Sequence, residues 1–169
     1  MTHEINWTQD TLRRGAEVFA QWPHTRRKQP QITHSLQSKA IANSLRELDR
    51  FLNLLVDAAF RERGEFDNPN QWNTANKLQR FRRDAVGAEG DIGRLVALGR
   101  SRNSLFHCGG VARHQDRDDP RLMTLGWTAG PGSPLTRISL GGLIVLGSSD
   151  FECVGQFYRG LAESVVLQI

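Results

Sequence analysis

A stretch of about thirty residues with a nearly unbroken helical period constrains the fold of this chain more than any other feature. From Thr33 to about Arg63, apolar residues recur every three or four positions, a spacing that places them on one face of an α-helix. The charged residues between positions 46 and 50 lie off this face, and Gly64 follows where a helix commonly ends. Few globular helices are this long. The segment therefore predicts the central helix of a bundle.

Shorter periodic segments predict further helices around this central one. Residues 8–21 form the first predicted helix, residues from about Asp91 to His107 form the fourth, and Ser148, Ser149 and Asp150 open the last. A short third helix begins after Asn68-Pro69, a cap followed by a first-turn proline, or after an alternative cap at Asn73 or Thr74. Three of its arginines are expected to face solvent: Arg80, Arg82 and Arg83.

The helical period is lost after Gly110, and the composition becomes polar and charged. Two short apolar runs follow, Leu122–Trp127 and Leu135–Leu140, separated by a stretch rich in glycine and proline. This pattern is typical of a β-hairpin or an ordered irregular loop. The sequence thus predicts an all-α helical bundle in one domain, residues 1–169, with an insertion at about 111–147 before the last helix.

Composition limits the function more weakly. No apolar run is long enough to span a bilayer, and the start of the chain does not resemble a signal peptide. Cys108 and Cys153 make no disulfide framework, so we expect a cytoplasmic protein. The net charge is +4, and all but three of the 22 cationic residues are arginines. Arginine suits a phosphate ligand, although GC-rich coding produces the same bias.

Three polar side chains cluster near the end of the fourth predicted helix: Arg102, Asn103 and His107. Arg102 falls where the next residue of an apolar stripe is expected, and a charge on a buried stripe is costly unless it is paired. His107 occupies the last turn, which Gly109 and Gly110 can end by adopting left-handed conformations. An arginine and a histidine at this spacing are common by chance. An asparagine directly after the arginine lowers the chance expectation to roughly 0.03 pairs.

The segment Arg102-Asn103-Ser104-Leu105-Phe106-His107 resembles the signature of the HEPN superfamily, in which an arginine, usually followed by a polar residue, precedes a histidine by four to six positions. The layout is similar too, with long helices before the motif and a closing helix after an insertion. The resemblance implies an all-α bundle that dimerises through the motif helices. Its active members are metal-independent endoribonucleases, often toxins or antiviral effectors. Some members carry a modified tyrosine shortly after the motif histidine, but here no tyrosine follows before Tyr158.

The resemblance implies a catalytic role for Arg102, Asn103 and His107, with RNA as substrate and no metal or cofactor. Histidine can move protons at neutral pH while the RNA 2′-hydroxyl attacks the adjacent phosphate. Arginine stabilises the charge that gathers on the phosphoryl oxygens, and the amide of Asn103 can orient either group. Three neighbouring residues are RNA-binding candidates: Arg100, Arg113 and His114. A homodimer and an antitoxin partner are the expected assemblies.

One geometric difficulty accompanies this interpretation. Arg102 and His107 lie about 140° apart around a continuous helix. Either the helix unwinds before His107, or two copies of the motif face each other across a two-fold axis. The second arrangement also explains a charge on an apolar stripe.

The sequence is also compatible with other interpretations. The chain can be a HEPN-like module that binds RNA or a protein partner without cleaving. Arg102 can be a structural residue paired with Glu89 or Asp91, with His107 a favourable cation at a helix end. Cys108 can be a nucleophile. A zinc site needs four residues that lack a standard spacing: His107, Cys108, His114 and Cys153.

Overall fold

A computed structural model of the chain describes residues 2–25, 34–65, 73–82, 88–130 and 132–169. Within these ranges lie six helices and one two-stranded antiparallel sheet. In chain order they are α1 (His3–Ala20), α2 (Trp22–Thr25), α3 (His34–Glu62), α4 (Thr74–Phe81), α5 (Ala88–His107), β1 (Leu122–Thr128), β2 (Leu135–Ser139) and α6 (Ser148–Val166). The predicted mostly helical fold, with a β-hairpin before the last helix, is confirmed.

The long helix α3 is the centre of the packing. It contacts α1, α4, α5 and α6, and its buried residues follow the helical period from Ser38 to Phe60. Arg46, Glu47 and Arg50 of the same helix are exposed, as the sequence predicts. Within the described ranges, no helix is both long and apolar enough to cross a membrane.

The first helix begins earlier than its sequence pattern indicates. α1 starts at His3 rather than near residue 8, and Ile5 and Thr8 are both buried. The Thr8 hydroxyl donates hydrogen bonds to the backbone carbonyls of Glu4 and Ile5, at 2.9 and 3.0 Å. Because these bonds satisfy the hydroxyl inside the helix, a polar residue can occupy a core position there.

The β-hairpin packs against α5 through a glycine. Met123 pairs with Ile138, and the buried side chains of β1 face the bundle. A β-carbon built on Gly126 lies only 2.2 Å from Cγ of Leu98, so the strand backbone touches the helix directly. Arg94 of α5 fixes this contact by donating from Nε to the carbonyl oxygen of Gly126, at 3.0 Å.

The short helix α4 corrects one prediction about arginines. Arg82, expected to face solvent, is buried, because α4 packs against α5 and the Arg82 side chain reaches on to α6. Its guanidinium donates to Asp91 at 2.6 Å and to the hydroxyl of Ser164. Asn73 caps α4 by accepting from the backbone of Asn76, which confirms one of the alternative caps. Asn68-Pro69 and Arg83 lie outside the described residues.

Candidate active site

The C-terminal end of α5 is held by two glycines and by the start of α3. Helix α5 continues through His107, and Gly109 and Gly110 then adopt φ angles of 61° and 87°, which confirms the predicted helix end. A β-carbon on Gly110 would lie 2.8 Å from Cε1 of His34, so the first turn of α3 packs closely on this turn. The arrangement in which α5 unwinds before His107 is therefore wrong.

Arg102 lies at the edge of the contact between α5 and α3. Its side chain is 29% exposed, and its Nη1 atom is 3.4 Å from Oδ2 of Asp49. The carboxylate partner thus comes from α3 and not from the neighbouring Glu89 or Asp91. Asp91 is instead the partner of Arg82. Together with the contact between His34 and Gly110, this ion pair shows that α3 and α5 run antiparallel.

The ion pair with Arg102 does not fully compensate the charged carboxylate of Asp49 for its burial. Burial raises the pKa of Asp49 above its usual range, although Arg102 and a hydrogen bond with Thr74 act in the opposite direction. Burial therefore costs the charged carboxylate more than its partners return. Because the contact is long and about a third of each side chain is exposed, the pair is weak. Arg102 can exchange Asp49 for another anion at low cost.

A cleft of about 340 Å³ separates the outer edges of α3 and α5 at this point. Residues from both helices line it: Ala42, Asn43 and Arg46 from α3, and Arg102, Asn103, Phe106 and His107 from α5. The structure thus brings together all three residues of the predicted catalytic set. They border the same cavity within one chain.

Rows of side chains on α5 explain how residues on different faces meet there. Residues four apart on a helix stack above one another, so Arg102 lies in a row with Phe106, and Asn103 in a row with His107. Both rows border the cleft. The angle of about 140° between Arg102 and His107 is thereby spanned without unwinding the helix.

The imidazole ring of His107 is accessible to solvent and to a ligand. Its side chain is exposed, and its ring lies edge-on to Phe106 with 4.9 Å between the ring centres. Among the described residues, no side chain or backbone group forms a hydrogen bond with its ring nitrogens. Asn103, one turn earlier, is exposed as well. An imidazole and an amide in this setting are accessible to a substrate.

The cleft includes two residues that the sequence interpretation missed, Asn43 and Arg46. Both are exposed on α3, and Arg46 has no carboxylate partner in the part of the chain that the structure describes. The sequence showed only that Arg46 lies off the apolar face of its helix. Its nearness to Arg102 follows from the antiparallel packing of α3 and α5, for which no local sequence signal exists.

The predicted RNA-binding residues lie elsewhere. Arg100 donates to Oδ1 of the buried Asp116 at 3.1 Å and lines a second cleft, together with Arg102 and Asn103. Arg113 is exposed and His114 is half-buried in the segment after Gly110. Neither is among the described residues that line the first cleft.

Asp116 joins the hairpin to α5. Besides Arg100, its carboxylate accepts hydrogen bonds from the backbone and hydroxyl of Thr124, and from the guanidinium of Arg137. Burial raises the pKa of Asp116, but the bonds with Thr124 and Arg137 outweigh it and hold the pKa below its usual range. Arg100 is therefore largely engaged in a structural ion pair.

The cysteine and zinc interpretations find little geometric support. The structure describes His107, Cys108, His114 and Cys153, and in its described residues no three His, Cys, Asp or Glu side chains are grouped so as to hold a metal ion. Cys108 is half-buried. Cys153 contacts Arg94 instead, with Sγ 3.0 Å from its Nη2 atom. Burial raises the pKa of Cys153, but hydrogen bonds from Thr128 and the charge of Arg94 hold it below its usual range.

The chain was also compared with known proteins. Comparisons with protein-family models, with curated proteins and with solved structures gave no match. The chain's own residues therefore carry the information about its function. The relevant observations are the motif at the end of α5 and the cleft that this motif shares with α3.

Proposed function

We propose that this protein is a metal-independent endoribonuclease of HEPN type that cleaves RNA by attack of the 2′-hydroxyl on the adjacent phosphate. One observation carries the proposal. Arg102, Asn103 and His107 line a single cleft, and Arg46, which has no carboxylate partner among the described residues, lies opposite them on α3. A cation, an amide and an imidazole around one cavity are the groups that this reaction requires.

The two arginines bind the phosphate in this proposal. Arg46 has no ion pair to give up among the described residues, and Arg102 has only the long contact with Asp49. A guanidinium can donate two parallel hydrogen bonds to phosphoryl oxygens. As the phosphorus becomes five-coordinate, negative charge grows on these oxygens, so both arginines stabilise the transition state more than the substrate.

The proton transfers involve His107. Its neutral imidazole takes the proton from the 2′-hydroxyl, and the oxygen then attacks phosphorus. The bond from phosphorus to the 5′-oxygen breaks, and the leaving oxygen accepts a proton. The products are a 2′,3′-cyclic phosphate and a 5′-hydroxyl. Asn103 orients the imidazole or the phosphate through its amide.

A homodimer supplies the second proton-transfer group. In one protomer, the described residues that line the first cleft include one histidine, His107. The reaction needs a base and an acid at the same time. His107 and Asn103 are exposed at the end of α5, which leaves them accessible to a second copy. In the proposed dimer, the partner's imidazole protonates the leaving oxygen. An antitoxin that covers this surface would silence the enzyme, in keeping with a role as a toxin or defence effector.

The experiment is to incubate the purified protein with mixed RNA in EDTA and to analyse the fragment ends. Cleavage should persist in the chelator, spare DNA and leave 2′,3′-cyclic phosphates. His107→Ala and Arg102→Ala should each lower the rate by about a hundredfold or more. His3→Ala and Arg121→Ala are matched controls on exposed side chains outside the cleft and should retain full activity. Cleavage that survives His107→Ala would refute the mechanism.

A second function, a binding module without catalysis, is favoured by the ion pair between Arg102 and Asp49. If that pair is purely structural, Arg102→Ala should lower the melting temperature without changing how the protein binds RNA. RNA binding without cleavage across varied RNAs, in monomer and dimer alike, would support this alternative. Intact folding of the variant together with lost cleavage would support the nuclease.

A further inference from the structure

A second cleft lies beside the first, on the other side of Arg102. It has a volume of about 250 Å³ and shares Arg102 and Asn103 with the first cleft. When the phosphate of a ligand contacts Arg102, the part of the ligand attached to that phosphate can therefore lie next to the second cleft. The cavity is formed between the start of α4 and the middle of α5.

The second cleft has an aliphatic part, formed by Ala75, Leu95, Val96 and Gly99, and six polar residues line the rest. Ala75 and Leu95 are buried in its floor, and Val96 is 41% exposed at its side. Gly99 leaves the remaining wall open, since a β-carbon built there has no atom within 4 Å. Its φ angle is not in the left-handed region, so the backbone does not require a glycine at this position. The missing side chain leaves space in the cleft, although glycine disfavours a helix relative to alanine.

Polar groups stand at the rim of the same cavity. The carboxylate of Asp49, the hydroxyl of Thr74 and the amide of Asn103 border it. They offer both donors and acceptors along one edge, while the floor offers only apolar surface. A flat ring with a polar edge, such as a purine or a pyrimidine, matches this division.

We propose that the second cleft binds the nucleobase of the nucleotide whose phosphate contacts Arg102. The inference rests on the proposed function for the phosphate at Arg102, and it adds a base-binding subsite to that function. Arg102 lies between the two cavities and so fixes the distance from the phosphate to the base. The ring lies against Leu95 and Val96, over the space left by Gly99, with its polar edge toward the amide of Asn103.

The test uses mononucleotides, which bind without being cleaved. Isotope-labelled protein is titrated with AMP, GMP, CMP and UMP, each as the 3′- and the 5′-phosphate, and with ribose 5-phosphate, and binding is followed by NMR. At least one nucleotide should bind about fivefold or more tightly than ribose 5-phosphate, and should shift the amide signals of Leu95 and Gly99.

Gly99→Leu fills the cleft and should abolish this difference while leaving the affinity for ribose 5-phosphate unchanged. Gly93→Leu is the matched control, since Gly93 is a glycine of the same helix with open space around it and does not line the cleft. It should bind like the wild type. If Gly99→Leu fails to fold, Val96→Phe obstructs the same space from an exposed position.

The outcomes separate this inference from the nuclease proposal. If RNA is cleaved as proposed but Gly99→Leu and Gly93→Leu bind nucleotides equally, the base subsite is refuted and the nuclease stands. If the base effect is present and depends on Gly99 but no RNA is cleaved, the subsite stands and the nuclease is refuted. A wild type that binds nucleotides no better than ribose 5-phosphate refutes the subsite.

Discussion

Replacing Asp49 with asparagine tests whether Arg102 serves a ligand or the fold. Asparagine keeps the shape of the side chain and removes its charge, so it imitates the protonated carboxyl. Because burial raises the pKa of Asp49, folding penalises the charged carboxylate relative to the neutral form. The substitution should therefore leave the free energy of unfolding unchanged or slightly higher at pH 7, although it breaks an ion pair.

The size of the effect follows from the geometry of the pair. At 3.4 Å, the Coulomb attraction between two unit charges is about 1 kcal/mol in water and about 5 kcal/mol at an effective dielectric constant of about 20. About a third of each side chain is exposed, so the attraction lies near the value for water. We expect the attraction between Arg102 and Asp49 to be about 0.5–1 kcal/mol. Arg102 released from this attraction should bind an RNA phosphate about two- to fivefold more tightly.

The assay combines unfolding in urea with binding of a 2′-O-methyl oligonucleotide, which cannot be cleaved by this mechanism. Asp57→Asn, on the same helix, is the matched control, because Asp57 lies 2.7 Å from Nζ of the buried Lys77. Removing that partner leaves a buried ammonium group poorly compensated and should cost about 2–4 kcal/mol without affecting RNA binding. Of the two substitutions on α3, only Asp57→Asn is thus expected to destabilise the protein.

The pH dependence adds a further check. A raised pKa in the folded state means that the charged Asp49 lowers the free energy of unfolding in full above that pKa, and that this cost disappears as the pH falls through it toward the usual value of 3.8. Any stability advantage of Asp49→Asn should shrink over the same range. If Asp49→Asn destabilises the protein as strongly as Asp57→Asn, or weakens RNA binding, the reasoning about Arg102 is wrong.

Three further predictions concern stability. Gly126→Ala should lower the free energy of unfolding by about 2–3 kcal/mol in urea titrations, because its β-carbon would lie 2.8 Å from Cα of Leu98; an unchanged value would contradict the contact between strand and helix. Asp116→Asn should cost about 2–3 kcal/mol at pH 7, and since the pKa of Asp116 is held low, this difference should shrink as the pH falls below 3.8; a difference that grows in acid would oppose the assignment. Gly93→Ala should raise the melting temperature by about 2–4 °C through helix propensity alone, as calorimetry can show.

The parts of the fold that depend on local pattern could be predicted from the sequence. The 3.6-residue period determines α3, and the two glycines after His107 determine the end of α5, because both effects act within one or two turns of chain. The burial of Arg82 could not be predicted in this way. It depends on α5 and α6 closing over the end of α4, which is a property of the assembled bundle.

The candidate site also has a part that could be predicted from local sequence and a part that depends on packing. Arg102, Asn103 and His107 could be selected because their spacing lies within a single segment. Asp49 and Arg46 are more than fifty positions away, and their place beside Arg102 depends on the register between α3 and α5. The sequence also suggested a partner for Arg102 on its own helix, at Glu89 or Asp91. Packing brought a carboxylate from α3 instead.

The contact between α1 and α6 has a consequence for how quickly the protein folds. Their backbones approach so closely that a β-carbon on Gly155 would lie 2.8 Å from the carbonyl oxygen of Ala16, although these residues are about 140 positions apart. Bringing them together closes a long loop, and the entropy lost must be recovered before the contact becomes favourable. Helical proteins usually fold quickly because their contacts are local. We expect this one to fold more slowly, with the joining of its outermost helices as the late step.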